Sequence, residues 1–327
     1  MPLTLPDWTP EAPLERLHLD WLSAAGVEVA MLRLDLIDPL ISGNKWFKLV
    51  PHLRAASAAG AAGLISLGGA HSNHLHALAA AGQRFGFPTV GLLRGLEQDT
   101  PTVRDLQAFG MHLHWLGYGG YRARHQAGFW ERWRVLCPTL HPLPEGGGGL
   151  PGALGCACLV ARVREQLSGL GWDDYHGWWL AAGTGTTLAG LVLGEAGAHP
   201  VYGAMAVPAD HGVAQQVGAI LHEAGVGDSG YRLLDACRGG FARVDERLTD
   251  FIRSSEAASG VPLDPLYTGK ALMALRQAVE VGHVARGSRL LFVHTGGLQG
   301  RRAGLLGQDG AHRASLSGSP SAAIECP

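Results

Sequence analysis

The sequence predicts an α/β fold of mostly parallel, twisted sheets flanked by helices, and three features predict it. A short apolar run, a glycine-rich loop and an Ala/Leu-rich amphipathic stretch recur in that order along the 327 residues. Strands alternating with helices in this way form βαβ units and parallel sheets. The strand-like runs are continuous rather than alternating in polarity, as expected of sheets covered on both faces. Glycine supplies 48 residues, roughly twice the usual share of about 7%, with no collagen period. Such glycines mark tight loops between buried elements.

The first unit reads as strand Gly63–Leu67, loop Gly68–His71 and a helix from Ser72 to Phe85, followed after Gly86-Phe87-Pro88 by strand Thr89–Leu93. The second reads as strand Trp178–Ala182, loop Gly183–Thr187, helix Leu188–Gly194 and strand Val201–Val207. The last strand is Arg289–Val293, closed by His294-Thr295-Gly296-Gly297. In such sheets ligands bind at the carboxyl ends of the strands, where these loops lie. Leu143–Pro151 reads as a flexible crossing between units, with helix resuming near Ala153, and 304–327 as a poorly ordered tail. The expected division is a larger unit from 1–50 and 160–303 and a smaller α/β unit from 51–159.

Composition excludes several classes. A hydrophobic share of 46% supports a large core, and a net charge of −2 offers no basic surplus for nucleic acid. The start MPLTLPDWTP lacks the pattern of a signal peptide. The longest uncharged apolar stretch, Leu180–Gly194, is broken by Gly and Thr and falls short of the roughly 20 residues of a membrane helix. Five scattered cysteines suit reduced thiols and a cytoplasmic protein. No metal site is expected: His71 and His74 can share a helix face, but His76 does not, and no carboxylate or Cys lies nearby.

Five segments offer chemistry. Gly183-Thr184-Gly185-Thr186-Thr187 joins a buried strand to a helix, where free N–H groups, the positive dipole end and Thr hydroxyls suit a phosphate. It is neither a Walker A loop, lacking the Lys-Ser/Thr, nor a dinucleotide fingerprint. Lys45 follows Gly43-Asn44 and opens a helix with Lys48 one turn on; burial and the helix dipole lower an amine's pKa, and a neutral amine forms a Schiff base. Ser72 and Asn73 sit at a helix start, where Ser is also a normal N-cap. Tyr267 and Thr268 precede a helix, and Thr295 ends a strand.

The strings GNKWFK, GGAHSNH, PEGG, AGTGTTLAG, LDPLYTGK and HTGG, in this order over about 42–297, resemble the pyridoxal-phosphate (PLP) family of 1-aminocyclopropane-1-carboxylate (ACC) deaminase and D-cysteine desulfhydrase. The resemblance implies a two-domain, tryptophan-synthase-β-like fold (fold type II), a homodimer, and PLP in the cleft between domains. It implies that Lys45 carries the cofactor and serves as base at Cα, and that Asn73 touches the cofactor 3′-hydroxyl. Gly183, Thr184, Gly185, Thr186 and Thr187 hold its phosphate with Lys48, and Thr295 faces the pyridine nitrogen. Ser72, Asn73, His74 and Thr268 are implied substrate contacts, with Ser72 and Tyr267 catalytic.

Sequences resembling true ACC deaminases read YEGK and HLGG where this chain reads Tyr267-Thr268-Gly269-Lys270 and His294-Thr295-Gly296-Gly297. Both differences favour the desulfhydrase: β-elimination from D-cysteine or a similar small amino acid, giving pyruvate, ammonia and sulfide. Two alternatives stay open: ACC deaminase, yielding 2-oxobutyrate and ammonia, and a binding protein using the Gly/Thr loop for another phosphate ligand. The family often has a second active-site tyrosine where this chain reads Arg238-Gly239-Gly240-Phe241.

Overall fold

The computed structural model describes residues 2–240 and 242–303. Phe241 and the tail 304–327 lie outside the described residues. Among the described residues, ten strands form two sheets. The larger contains β1 (Leu14–Arg16), β2 (Glu28–Arg33), β7 (Gly177–Ala182), β8 (Val201–Met205), β9 (Tyr231–Asp235) and β10 (Arg289–His294), in the order β1-β2-β10-β7-β8-β9. Only the edge strand β1 runs antiparallel. The smaller contains β3 (Gly63–Gly68), β4 (Thr89–Leu93), β5 (His112–Trp115) and β6 (Leu140–Pro142), all parallel in the order β5-β4-β3-β6.

Burial explains the continuous apolar strands. Every residue of β3, β4 and β7 is buried, because helices cover both faces. The helix Thr186–Glu195 is apolar all round and buried through most of its length, as a central helix must be. It packs on the helix Gly149–Gln166, which starts four residues before the expected Ala153. The central helix itself starts two residues before the expected Leu188. The expected unit boundaries at 50/51 and 159/160 fall inside the helices Lys45–Ala58 and Gly149–Gln166.

Among the described cysteines, Cys156, Cys158 and Cys237 are free. No helix among the described residues is long and apolar enough to cross a membrane.

Candidate active site

The turns after β3, β7 and β10 converge on the start of the helix Lys45–Ala58, and one contact sets their spacing. Gly43 has φ +85°, and a Cβ there would collide with the Thr295 carbonyl oxygen. The Asn44 amide donates to that same carbonyl at 3.2 Å. The turn before Lys45 therefore lies flat against the turn after β10, an approach open only to glycine.

Lys45 Nζ donates to Asn44 Oδ1 at 2.8 Å, and Asn44 Nδ2 donates to Thr187 Oγ1 at 2.8 Å. One asparagine thus links the lysine to the Gly/Thr loop. Burial, then the neighbouring Lys48 charge, pushes the Lys45 amine down to about 7. Burial lowers Lys48 as well. Among the described residues neither lysine has a carboxylate within ion-pair distance. Two adjacent amines in the interior with no acid between them suit an anion.

The loop Gly183–Thr187 supplies the complementary donors. Gly185 sits at φ +75° and turns the chain into the helix. The first intrahelical bond runs from Ala189 to Gly185, so the amides of Thr186, Thr187 and Leu188 lie in the unpaired first turn. The hydroxyls of Thr184 and Thr186 stand 3.1 Å apart. The four-glycine segment after Glu145, expected as a flexible crossing, packs here instead. A Cβ on Gly146 would lie 3.4 Å from the Thr184 methyl, and one on Gly147 would lie 3.3 Å from Lys48 Cβ. The PEGG string was the only sign of this in the sequence.

Ser72 caps the helix Asn73–Phe85, its Oγ accepting the Leu75 amide at 3.2 Å. Asn73 Oδ1 accepts from Gln299 Nε2 at 2.9 Å, and its Nδ2 lies 2.6 Å from where a Cβ of Gly297 would stand. His74 is buried, its ring beside Gly147. Ser66 Oγ donates to the Leu143 carbonyl at 3.2 Å, so His74 Nε2 at 2.8 Å carries the proton and donates to Ser66. Burial, then the charges of Lys45 and Lys48, holds His74 well below the usual histidine range.

Tyr267 and Thr268 part company. The Tyr267 ring lies against the loop, 3.1 Å from where a Gly183 Cβ would stand, and burial raises its phenol pKa. Thr268 is 0% exposed. Its hydroxyl donates to Asp264 Oδ2 at 2.7 Å and accepts the Asp264 amide at 2.8 Å. The structure therefore places Thr268 at the start of the helix Thr268–Glu280, its hydroxyl tied to Asp264. Asp264 is the residue that sequence reasoning missed: buried, it accepts the amides of Leu266, Tyr267 and Thr268 at 2.9, 2.7 and 2.9 Å. An Asp before a helix was the available signal. Lys270, one turn into that helix, is buried and donates to the carbonyls of Cys237 and Gly240 at 3.0 and 3.2 Å.

A flat, phosphorylated, aldehyde-bearing cofactor fits this donor set: a low-pKa amine, a second buried cation, an unpaired helix start and a glycine-walled slot. Comparison with known proteins agrees. A family described as pyridoxal-phosphate dependent enzyme matches residues 6–296, and the chain belongs to that family. A relative from Pyrococcus abyssi named putative ACC deaminase is 28% identical over 91% of this chain and 92% of its own. The ACC deaminase of Burkholderia vietnamiensis is 29% identical over 89% and 92%. A mitochondrial bifunctional D-cysteine desulfhydrase/ACC deaminase from Arabidopsis thaliana is 28% identical over 88% and 76%. The crystal structure of an ACC deaminase homologue superposes with a TM-score of 0.75 at 26% identity, covering 91% of this chain and 92% of its own. The protein is thus a PLP-dependent enzyme of fold type II, with relatives named for lyase reactions on small amino acids. The reading as a binding protein for another phosphate falls.

Proposed function

We propose that this enzyme catalyses β-elimination from D-cysteine or a similarly small β-substituted amino acid. One observation carries the choice over ACC ring opening: no acid side chain is available from the two positions expected at the cofactor ring. Position 295, after β10, is a threonine, and Thr268 is sealed in a helix cap where Asp264 is spent on three amides and a hydroxyl. A neutral hydroxyl at the pyridine nitrogen leaves a weaker electron sink, which suits loss of a good leaving group.

When bound, PLP withdraws electrons from Cα of the attached amino acid. Lys45 would hold the cofactor and would take the proton from the substrate Cα, a task suited to an amine of pKa about 7. In net terms, D-cysteine and water would give pyruvate, ammonia and sulfide. Lys48 and Gly183–Thr187 would bind the phosphate, Asn73 would meet the ring hydroxyl, and Thr295 would meet the ring nitrogen. Ser72 binds the substrate carboxylate, with Tyr267 beside the reacting carbon and His74 supporting from behind. We also propose a cytoplasmic homodimer, with the two sheets forming the cores of separate units on either side of the cleft.

The test is product analysis on purified enzyme. Sulfide and pyruvate from D-cysteine support the reading. Formation of 2-oxobutyrate from ACC, with no sulfide from D-cysteine, would overturn it and favour the ACC deaminase alternative.

A further inference from the structure

Beneath the cleft, one imidazole touches three of the segments that build the site. His294, the last residue of β10, is 0% exposed and stands opposite Arg33 of β2 in the parallel register. Its Nε2 lies 2.7 Å from the Pro262 carbonyl oxygen. A carbonyl only accepts, so Nε2 carries the proton and donates. Pro262 begins the turn in which Asp264 holds the Tyr267 amide. The other nitrogen, Nδ1, accepts the Gly296 amide at 3.3 Å and lies 3.2 Å from Asp35 Oδ1. Gly296 follows Thr295 directly.

Asp35 is itself immobilised. Arg33 donates to it through Nε at 2.9 Å and a terminal nitrogen at 2.7 Å, a bidentate pair buried in the fold. The Asp35 carbonyl meets Ser42 Oγ at 3.4 Å, and the Gly43 amide donates to the Leu34 carbonyl at 2.8 Å. The Arg33–Asp35 pair thus fixes the segment leading into Lys45. Among the described residues no strand hydrogen bond ties the Pro262–Tyr267 turn to the Thr295 turn; His294 spans them.

We propose that His294 is a positioning residue for the reaction, its two ring nitrogens holding the Tyr267 turn and the Thr295 turn at a fixed spacing. Nε2 sets the height of the tyrosine over the reacting carbon, and Nδ1 sets the hydroxyl at the cofactor ring. The proposal rests on the placement of Tyr267 and Thr295 given under the proposed function, not on the identity of the substrate.

The experiment compares His294→Ala, His294→Asn and His294→Gln. It measures the PLP dissociation constant, then kcat and KM per bound cofactor on folded, PLP-loaded protein. An Asn amide reaches the Nδ1 position and a Gln amide the Nε2 position, so each restores one arm. The expected result for Ala is a loss of about tenfold or more in both PLP affinity and kcat, the scale of a sub-ångström misplacement. Asn recovers PLP affinity but not kcat, and Gln recovers kcat but not PLP affinity. Should the Ala variant not fold, the Asn and Gln variants carry the test. PLP affinity and kcat equal to wild type in the folded Asn and Gln variants, or equal losses in both parameters for both, would overturn the proposal. If wild type releases no sulfide from D-cysteine, the elimination reading fails while the PLP-affinity arm still judges His294.

Discussion

At the scale of single residues, the environment assigns roles that residue type leaves open. A lysine beside a helix start is ordinarily a solvated surface group. Lys45 differs because its amine is buried and faces a second cation, and both effects favour the neutral form. The glycine-lysine string was legible in the sequence, as were Ser72, Asn73 and Tyr267. The burial of Thr268 was not, because its partner Asp264 depends on how the LDPLYTGK turn closes. This bears on the comparison with YEGK sequences. Thr268→Glu is expected to destabilise the fold by about 3 kcal/mol or more, since it buries a second carboxylate against Asp264 with no cation to match it. Urea unfolding of wild type and variant checks this. The variant is also expected to gain no 2-oxobutyrate formation from ACC.

At the scale of elements, β3, β4, β7, β8 and β10 were readable, whereas β2 and the edge strands were not. β3, β4, β7 and β10 are buried runs of apolar residues, so polarity and length alone mark them. β5, β6 and β9 are short or half-exposed, and their sequences HLHW, LHP and YRLLD carry no such signal. Tertiary pairing with a central neighbour makes them strands. The Gly146–Gly149 run misleads in the opposite direction: rich in glycine, it reads as flexible, yet it packs against Lys48 and the Thr184 loop. The critical contact between elements is the one at Gly43. Gly43→Ala adds a methyl against the Thr295 carbonyl at a positive φ, and is expected to cost about 2 kcal/mol or more. The loss is expected to fall on cofactor retention as well as on the denaturation midpoint, because the same turn carries Lys45.

At the scale of the whole molecule, the turns after β7 and β10 meet at the start of the helix Lys45–Ala58, where Lys45 and Lys48 bring two amines together. That arrangement has a thermodynamic signature in the cofactor-free protein. Lys45 titrates near 7 when folded and near its ordinary value of about 10.4 when unfolded. Between those values the unfolded chain binds the extra proton, so this group destabilises the fold in that window and the effect fades as pH rises through it. The apoprotein is therefore expected to gain stability from pH about 7 to about 10, and Lys45→Met to flatten that rise; denaturant midpoints across the range read it directly. The account as a whole turns on Lys45 being the lysine that carries the cofactor. Borohydride reduction of the PLP-loaded enzyme, followed by peptide mapping, tests this most directly. The account predicts the pyridoxyl label on Lys45; label on Lys48, Lys270 or no lysine at all would contradict it.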